Sequence, residues 1–466
     1  MRRIVGILFV LVAALPYVAM LRRGGQPAAP STAGPTETLT IISPHRREVK
    51  LEYSRGFAEY MRREHHRHVE LRWIDVGGTS KILKDLESRY TARADDPGVD
   101  VFFGGGVAPF YQAMQRGWLT PTAVPADMLA GIPERCAGSP VYDRGSNWFG
   151  VALSGFGILY NRPLIERMHL PVPAAWEDLG RPEFLSWVGS GDPRSSGSVQ
   201  MCYEIILQAY GFERGWNLIT RISANVRSFG ESGSTVPREV AAGDAAAGMV
   251  IDQYAQTVVD AVGGNLLVFV LPAQMTVINA DPIAALKGGR AELAALFVRY
   301  TLSAEGQRLL CQPVGANGQV SALYRLPVRE SLYHEASGPG ANPYAQSGGM
   351  TFDENLANVR RDVLNDLMGV CLIDMHDELA RAWGAIVRAG CPAALVADLG
   401  RPPVSGAELA ALAPQWKDPR RRMDATRQWA HDAQARYRRL QDQAGAGSAA
   451  VPAPAVPAQL AWKEVP

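Results

Sequence analysis

Apolar and polar positions along the chain follow two periods in turn, one suited to strands and one to helices. Leu39 to Ser43 (LTIIS) is a short apolar run ended by Pro44, which reads as a buried strand. Val49, Tyr53, Phe57 and Tyr60 recur at helical spacing and predict an amphipathic helix to about Glu64. Val69 to Val76 alternates as a strand and runs into Gly77-Gly78-Thr79-Ser80. Ile82, Leu83 and Leu86 mark the next helix, with Thr79 or Ser80 as its cap. Val99 to Phe103 is a third strand, closing on Gly104-Gly105-Gly106. This alternation predicts a parallel α/β sheet.

Trp148 to Leu159 (WFGVALSGFGIL) is a long apolar, β-prone run, suited to a strand that leaves one domain for another. Helical patterns return after Ser196 and from Pro237, with strands at Ala247–Ile251 and Leu266–Leu271. Asp281 to Leu310 is mostly helical, and Ala341 to Gln443 carries several helical signals and few strand signals. From Ala444 the chain is rich in Ala, Gly, Pro and Ser and reads as a disordered tail.

The first residues break the soluble pattern. Met1-Arg2-Arg3 precedes an apolar run from Ile4 to Leu21, with Arg22 and Arg23 directly after it. The run is longer than a signal core of about 7–15 residues and short of a span of about 20. Residues 1–23 therefore read as a signal peptide or an uncleaved anchor, and 24–37 as a flexible linker. Either form places the protein on the periplasmic or extracellular side of the membrane.

Hydrophobic residues at 47% and charged residues at 20% fit a globular chain with a full core. The 47 basic and 46 acidic residues leave no net field to draw in nucleic acid. Five cysteines (136, 202, 311, 371 and 391) are odd in number and widely spaced, so structural or free thiols are the leading reading. Cys371 and Cys391 are the pair to test first for a disulfide. Glu64-His65-His66-Arg67-His68 reads as a solvated cationic helix end rather than a metal site. Between Trp416 and Gln443, eight Lys and Arg stand against four Asp, as a solvated helix face or a contact for acidic lipid or a partner.

Three small, hydroxyl-rich turns each feed a helix: Gly77–Ser80, Ser195–Ser198 and Glu231–Thr235. Free N–H groups and the helix dipole make such turns natural anion sites, although plain capping explains any one of them alone.

Several motifs in register resemble the extracellular solute-binding proteins of ABC importers, in the branch that includes ferric-ion, phosphonate and thiamine binders. They are LTIISPH, DVFFGGG (Asp100–Gly106), WFGVALSGFGILYNRPLI (Trp148–Ile165), DPRSSGS (Asp192–Ser198), the run Glu231–Ala255, TVINADPIAALKGG (Thr276–Gly289) and SAEGQRLL (Ser303–Leu310). The resemblance covers Leu39 to Pro327. It implies an α/β, two-lobed type II periplasmic-binding-protein fold that closes like a flytrap, here with a helical C-terminal extension. Lobe one would hold 39–147 and 275–329, lobe two 148–274, the extension 330–443 and the tail 444–466. An ABC permease is the implied partner, a small molecule or ion the ligand, and no cofactor is implied.

Two ligand classes remain open. A small anionic organic solute (a phosphonate, phosphate ester or carboxylate) would be held by Thr79, Ser80, Gly105, Ser195, Ser196, Ser232 and Ser234. Asp252 or Asp281 would meet any cationic part, although Asp281 is better suited to ordering the hinge or capping a helix. Alternatively, the resemblance implies Fe(III) bound by His45 and Tyr254. Against it, Asp252-Gln253-Tyr254-Ala255 stands where the ferric pattern has two tyrosines in a row, and DVFFGGG lacks an acidic ligand. A membrane-anchored sensor is the reading from a different class. Catalysis through Cys136 finds no base nearby in sequence, so no enzyme is expected.

Overall fold

The computed structural model describes residues 36–335, 342–345 and 350–447. The expected signal or anchor segment at 1–23, nearly all of the linker, and the chain from 448 lie outside the described residues.

Strand β1 (Glu37–Ile42) pairs in parallel with β2 (Val69–Ile74) and β3 (Val101–Phe103). Helices α1 (Arg47–His65) and α2 (Thr79–Ala92) supply the crossovers, and α3 (Val107–Gln115) follows β3. The predicted spacing on α1 is real: Val49, Tyr53, Phe57 and Met61 are its buried stripe. Gly78 caps α2 and no side chain bonds there, so neither Thr79 nor Ser80 is the cap. Both lie inside the first turn.

Strand β4 (Phe149–Asn161) buries twelve of its thirteen residues. At about 3.3 Å per residue it is long enough to serve two bodies. The second half of the molecule adds β5 (Val188–Gly191), α4 (Gly197–Tyr210), α5 (Phe212–Asn225), β6 (Val226–Gly230), α6 (Val236–Ala242), β7 (Ala247–Ile251), α7 (Asp252–Val262) and β8 (Leu267–Val270). Strand β9 (Ile278–Leu286) and helix α8 (Ala291–Leu302) return to the first half.

The path through the sheet is β2-β1-β3-β9-β4-β7-β5-β6. Residues Phe149–Gly155 of β4 pair with β9, whereas Phe156–Asn161 pair with β7 and β8. The change of partner at Gly155/Phe156 is where the chain crosses between lobes. Both crossing strands run antiparallel to their neighbours, so the sheet is mixed rather than wholly parallel. The parallel pattern read from the sequence holds for β1–β3 and for β5 with β6 and β7.

Helices α9 (Glu354–Met368), α10 (His376–Arg388) and α11 (Pro419–Gly447) form the C-terminal extension with two shorter helices, Ala393–Leu399 and Gly406–Leu412. It is not a separate body. Val363, Leu364, Leu367, Trp383, Ile386, Trp429, Tyr437 and Leu440 share one core with Trp176, Ile206, Trp216 and Ile222 of the second lobe. The Trp383 indole N–H fastens it further, donating to Asn225 Oδ1 of the second lobe (2.8 Å), while that of Trp416 donates within the extension to Asp366 Oδ2 (2.7 Å). Helix α11 continues to Gly447 with Ala444 buried, so residues 444–447, read from composition as tail, are helical. All five thiols are free, including Cys371 and Cys391. No helix among the described residues is long and apolar enough to cross a membrane.

Candidate functional site

A cavity of about 440 Å³ opens where the loops at the carboxyl ends of the strands converge, the place where open α/β sheets bind ligands. The first lobe contributes His45 and Arg46 after β1, Gly78 and Thr79 after β2, and Gly105 after β3. The second contributes Ser195–Ser198 after β5, Ser232 after β6 and Tyr254 on α7. Asn279 and Asp281 on β9 form the floor, and Glu354, Asn358 and Arg361 of α9 form a third wall.

Asp281 orders the floor. Its carboxylate accepts from His45 Nε2 (2.7 Å), Arg325 Nη2 (2.5 Å) and the amides of Gly105 (2.7 Å) and Gly106 (3.3 Å). Burial opposes its charge, but Arg325 and then His45 outweigh burial and hold the acid well below the ordinary carboxylate range. Since a carboxylate only accepts, His45 donates through Nε2. Its Nδ1 is then left to accept from the Ser43 hydroxyl at 3.0 Å. Burial also lowers the His45 pKa, so the ring is neutral at pH 7. The glycines of the β3 loop are required here. At Gly104 (φ +92°) a Cβ would lie 2.5 Å from the His45 ring, and at Gly105 (φ +106°) it would lie 2.7 Å from Thr79 Oγ1.

The serine loops of the second lobe are stitched together. Ser196 caps α4 and also accepts from the Gly233 amide at 3.1 Å, while its hydroxyl meets that of Ser198 at 3.2 Å. Ser195 donates to the Glu231 carbonyl, and Ser232 and Ser234 meet at 3.0 Å. The amides of Gly197 and Ser198 line the cavity without an acceptor among the described residues. Arg361 lies against this helix start, its guanidinium 3.6 Å from where a Gly197 Cβ would stand. Burial lowers the Arg361 pKa, and no carboxylate lies within ion-pair distance of it among the described residues. An unpaired cation beside free amides at a helix N-terminus is an arrangement for binding an anion.

Of the residues singled out from sequence, the fold gathers His45, Thr79, Gly105, Ser195, Ser196, Ser232 and Tyr254 at this cavity. Two others stand back from it. Ser234 lies behind Ser232, and Asp252 accepts from the Gly155 and Gln253 amides (2.8 and 2.6 Å) at the crossing point. Burial pushes Asp252 up to about 6 against those two bonds. Arg361, Asn358, Glu354, Asn279 and Arg325 were not picked out. The first three recur at i, i+4 and i+7 on α9, but an amphipathic helix shows the same polar stripe when it faces only water.

Residues 96–321 match the family described as bacterial extracellular solute-binding protein. That stretch, just under half of the chain, is similar to the solute-binding domain of the family. The phosphoglycerate transport regulatory protein PgtC of Salmonella typhimurium is 34% identical over 161 residues, 34% of this chain and 40% of that protein. The match thus spans about two fifths of that relative's length. Among solved structures, the periplasmic binding protein AfuA of Actinobacillus pleuropneumoniae, with fructose-6-phosphate bound, superposes with a TM-score of 0.58 at 20% identity, covering 73% of this chain and 100% of that one. A ferric binding protein from Campylobacter jejuni gives 0.52 at 18% identity, covering 74% and 99%. Those structures establish the shared fold: two lobes of the type II periplasmic-binding-protein class, as the sequence motifs implied, with the helical extension added. The family consists of binding proteins that carry no cofactor.

Proposed function

We propose that the protein is the solute-binding component of an ABC importer and captures a small organic phosphate ester between its lobes, outside the cytoplasmic membrane. The observation that carries this reading is Arg361, an unpaired guanidinium beside the free amides of Gly197 and Ser198 and the hydroxyls of Ser196 and Ser198. Gly78 and Thr79 face the same space from the first lobe. A phosphoryl group held there would touch both lobes and favour their closed arrangement. The names of two related proteins, one for phosphoglycerate transport and one with bound fructose-6-phosphate, support the same class.

Ferric binding is the weaker reading on chemical grounds. His45 spends both ring nitrogens on Asp281 and Ser43. Tyr254 sits under the Arg46 guanidinium at 5.9 Å, and burial raises its phenol pKa, so a phenolate is disfavoured. A catalytic role is not supported either. Cys136 is buried, and burial together with Glu330 pushes its thiol up to about 12, far from a nucleophile at neutral pH.

Native mass spectrometry of protein purified from an exporting host tests the reading. A phosphorylated organic adduct, lost in Arg361→Ala, is expected. An adduct of one iron atom lost in Tyr254→Phe would refute it.

A further inference from the structure

The same cavity holds a second set of polar groups, and it differs in kind from the anion corner. Asn279 is 3% exposed, and its Nδ2 donates to Glu354 Oε1 at 3.3 Å. Its Oδ1 is buried with no partner among the described residues. The carboxylate takes the amide's donor side, so the free atom of Asn279 is the acceptor. Glu354 Oε2 and Asn358 Oδ1 are likewise buried and unpartnered. All three line the cavity. A buried acceptor left without a donor is costly, and folded proteins seldom leave several together.

The wall that carries two of them is held fast. Arg360 forms a two-pronged pair with Glu204 (2.6 and 3.2 Å), and Glu204 lies on α4, whose start is the anion corner. Asp353 caps α9 through the Leu356 amide, and its own amide donates to Gln208 on α4 at 2.7 Å. Glu354, Asn358 and Arg361 therefore keep a set spacing along one face: Arg361 at the anion end and the two acceptors one and two turns away.

We infer that α9 of the C-terminal extension reads hydroxyl groups on the ligand's carbon chain. Asn279, Glu354 and Asn358 accept from those hydroxyls while Arg361 holds the anion, which makes the ligand a polyhydroxylated phosphate. The inference rests on the phosphate reading for its anionic end and on the three acceptors for the remainder. Residues 354–361 lie outside residues 96–321, the stretch that matches the solute-binding family, and the inference assigns selectivity to them.

Isothermal titration of the full chain at pH 8, where Glu354 with its pKa raised to about 7 is ionised and accepts, tests it with matched six-carbon probes. Sorbitol 6-phosphate and hexyl phosphate differ in their hydroxyls and share their phosphate. Sorbitol 6-phosphate is expected to bind at least about tenfold tighter, as one or two net hydrogen bonds imply. That ratio is expected to collapse in Asn358→Ala and Glu354→Ala. Thermal melts of both variants confirm that they remain folded. Equal affinities for the two probes overturn the hydroxyl reading and leave the phosphate reading standing. If neither phosphate binds, the phosphate reading falls, and gluconate against hexanoate tests the acceptors alone. Preference for gluconate, abolished in Asn358→Ala, then upholds them. No preference, or no binding, overturns the inference as well.

Discussion

Replacing Asp281 with Asn probes the group that orders the cleft floor. The carboxylate serves four donors at once, and one of them, Arg325, is 3% exposed. Asn retains one carbonyl oxygen but removes the charge, leaving a buried guanidinium without a counter-ion. Loss of one partner from a buried pair costs about 3–5 kcal/mol, whereas an exposed pair would cost about 0–1 kcal/mol. The expected loss for Asp281→Asn is therefore about 3–5 kcal/mol, read as the shift of the urea transition followed by tryptophan fluorescence. Arg325→Met in the same background decides the cause. With the cation gone, the second substitution is expected to cost far less than the two single losses added together.

The pH dependence has a definite sign. The folded-state pKa of Asp281 is depressed, so its contribution is complete above the unfolded value near 3.8 and fades as pH falls through the folded one. The gap between wild type and variant should stay level from about pH 8 down to pH 4 and narrow only in stronger acid. A loss under about 1 kcal/mol, or single losses that add, would refute the account of Asp281 as the buried anchor.

Three further outcomes follow from the same geometry. Burial and then Glu204 raise the Glu354 pKa from 4.5 to about 7, with Asn279 and Arg361 opposing and Asp353 adding to the rise. The stability that a raised acid contributes is complete below its unfolded pKa and lost as pH rises through 7, so wild type should lose up to about 3 kcal/mol relative to Glu354→Gln between about pH 5 and pH 8. Thermal melts at both pH values check this, and parallel curves would count against a buried, raised acid. Gly105→Ala places a Cβ on Thr79 in a left-handed backbone, so a loss of at least about 1–2 kcal/mol and weaker anion binding are expected; an unchanged melt contradicts it. With all five cysteines free, a thiol reagent should find five after denaturation without reductant, and in the native protein Cys311 and Cys391 should react ahead of the buried Cys136, Cys202 and Cys371. Three thiols in the denatured chain would point to a Cys371–Cys391 bridge.

Strands β3, β4 and β7 were legible because they are buried on both faces and read as apolar runs, whereas β2, partly exposed, showed as an alternating one. β4 is the clearest case, since an apolar run of that length outlasts any one-lobe strand. The glycine-rich β3 loop was legible as a backbone feature, but its reason, the His45 ring and Thr79 pressed against it, exists only in three dimensions. Asp252 misled for a related reason: an acid just after a strand resembles a ligand contact until the crossing strand is seen to supply the amide it accepts from. The extension was the least legible part. Its apolar stripe announces helices but not that they complete the second lobe's core, and the polar face of α9 gives no sign in sequence that a cavity lies opposite.

That placement bears on how the trap closes. Apart from Asn279 to Glu354, the direct polar ties between the lobes near the cavity among the described residues are partly exposed: Arg46 Nη1 to Thr257 Oγ1 at 3.4 Å, and Tyr324 to Asp260. Gly78 also approaches the Ser195 carbonyl across the mouth. Ties of this kind are worth about 0.5–1.5 kcal/mol each, so unaided closure is close to balance and a ligand needs only a modest difference in affinity to shift it. The extension alters that balance from one side. It is packed into the second lobe's core, yet through Glu354 it reaches Asn279 on the strand that returns to the first lobe. A solute that bonds Glu354 and Asn279 together with Gly78 and Ser196 would reinforce a contact spanning the crossing point. A bare anion would engage the serine corner and leave that contact as it stands. Selectivity and closure would then share the same atoms, because the hydroxyls that distinguish one phosphate from another are the groups that add to the cross-lobe contact.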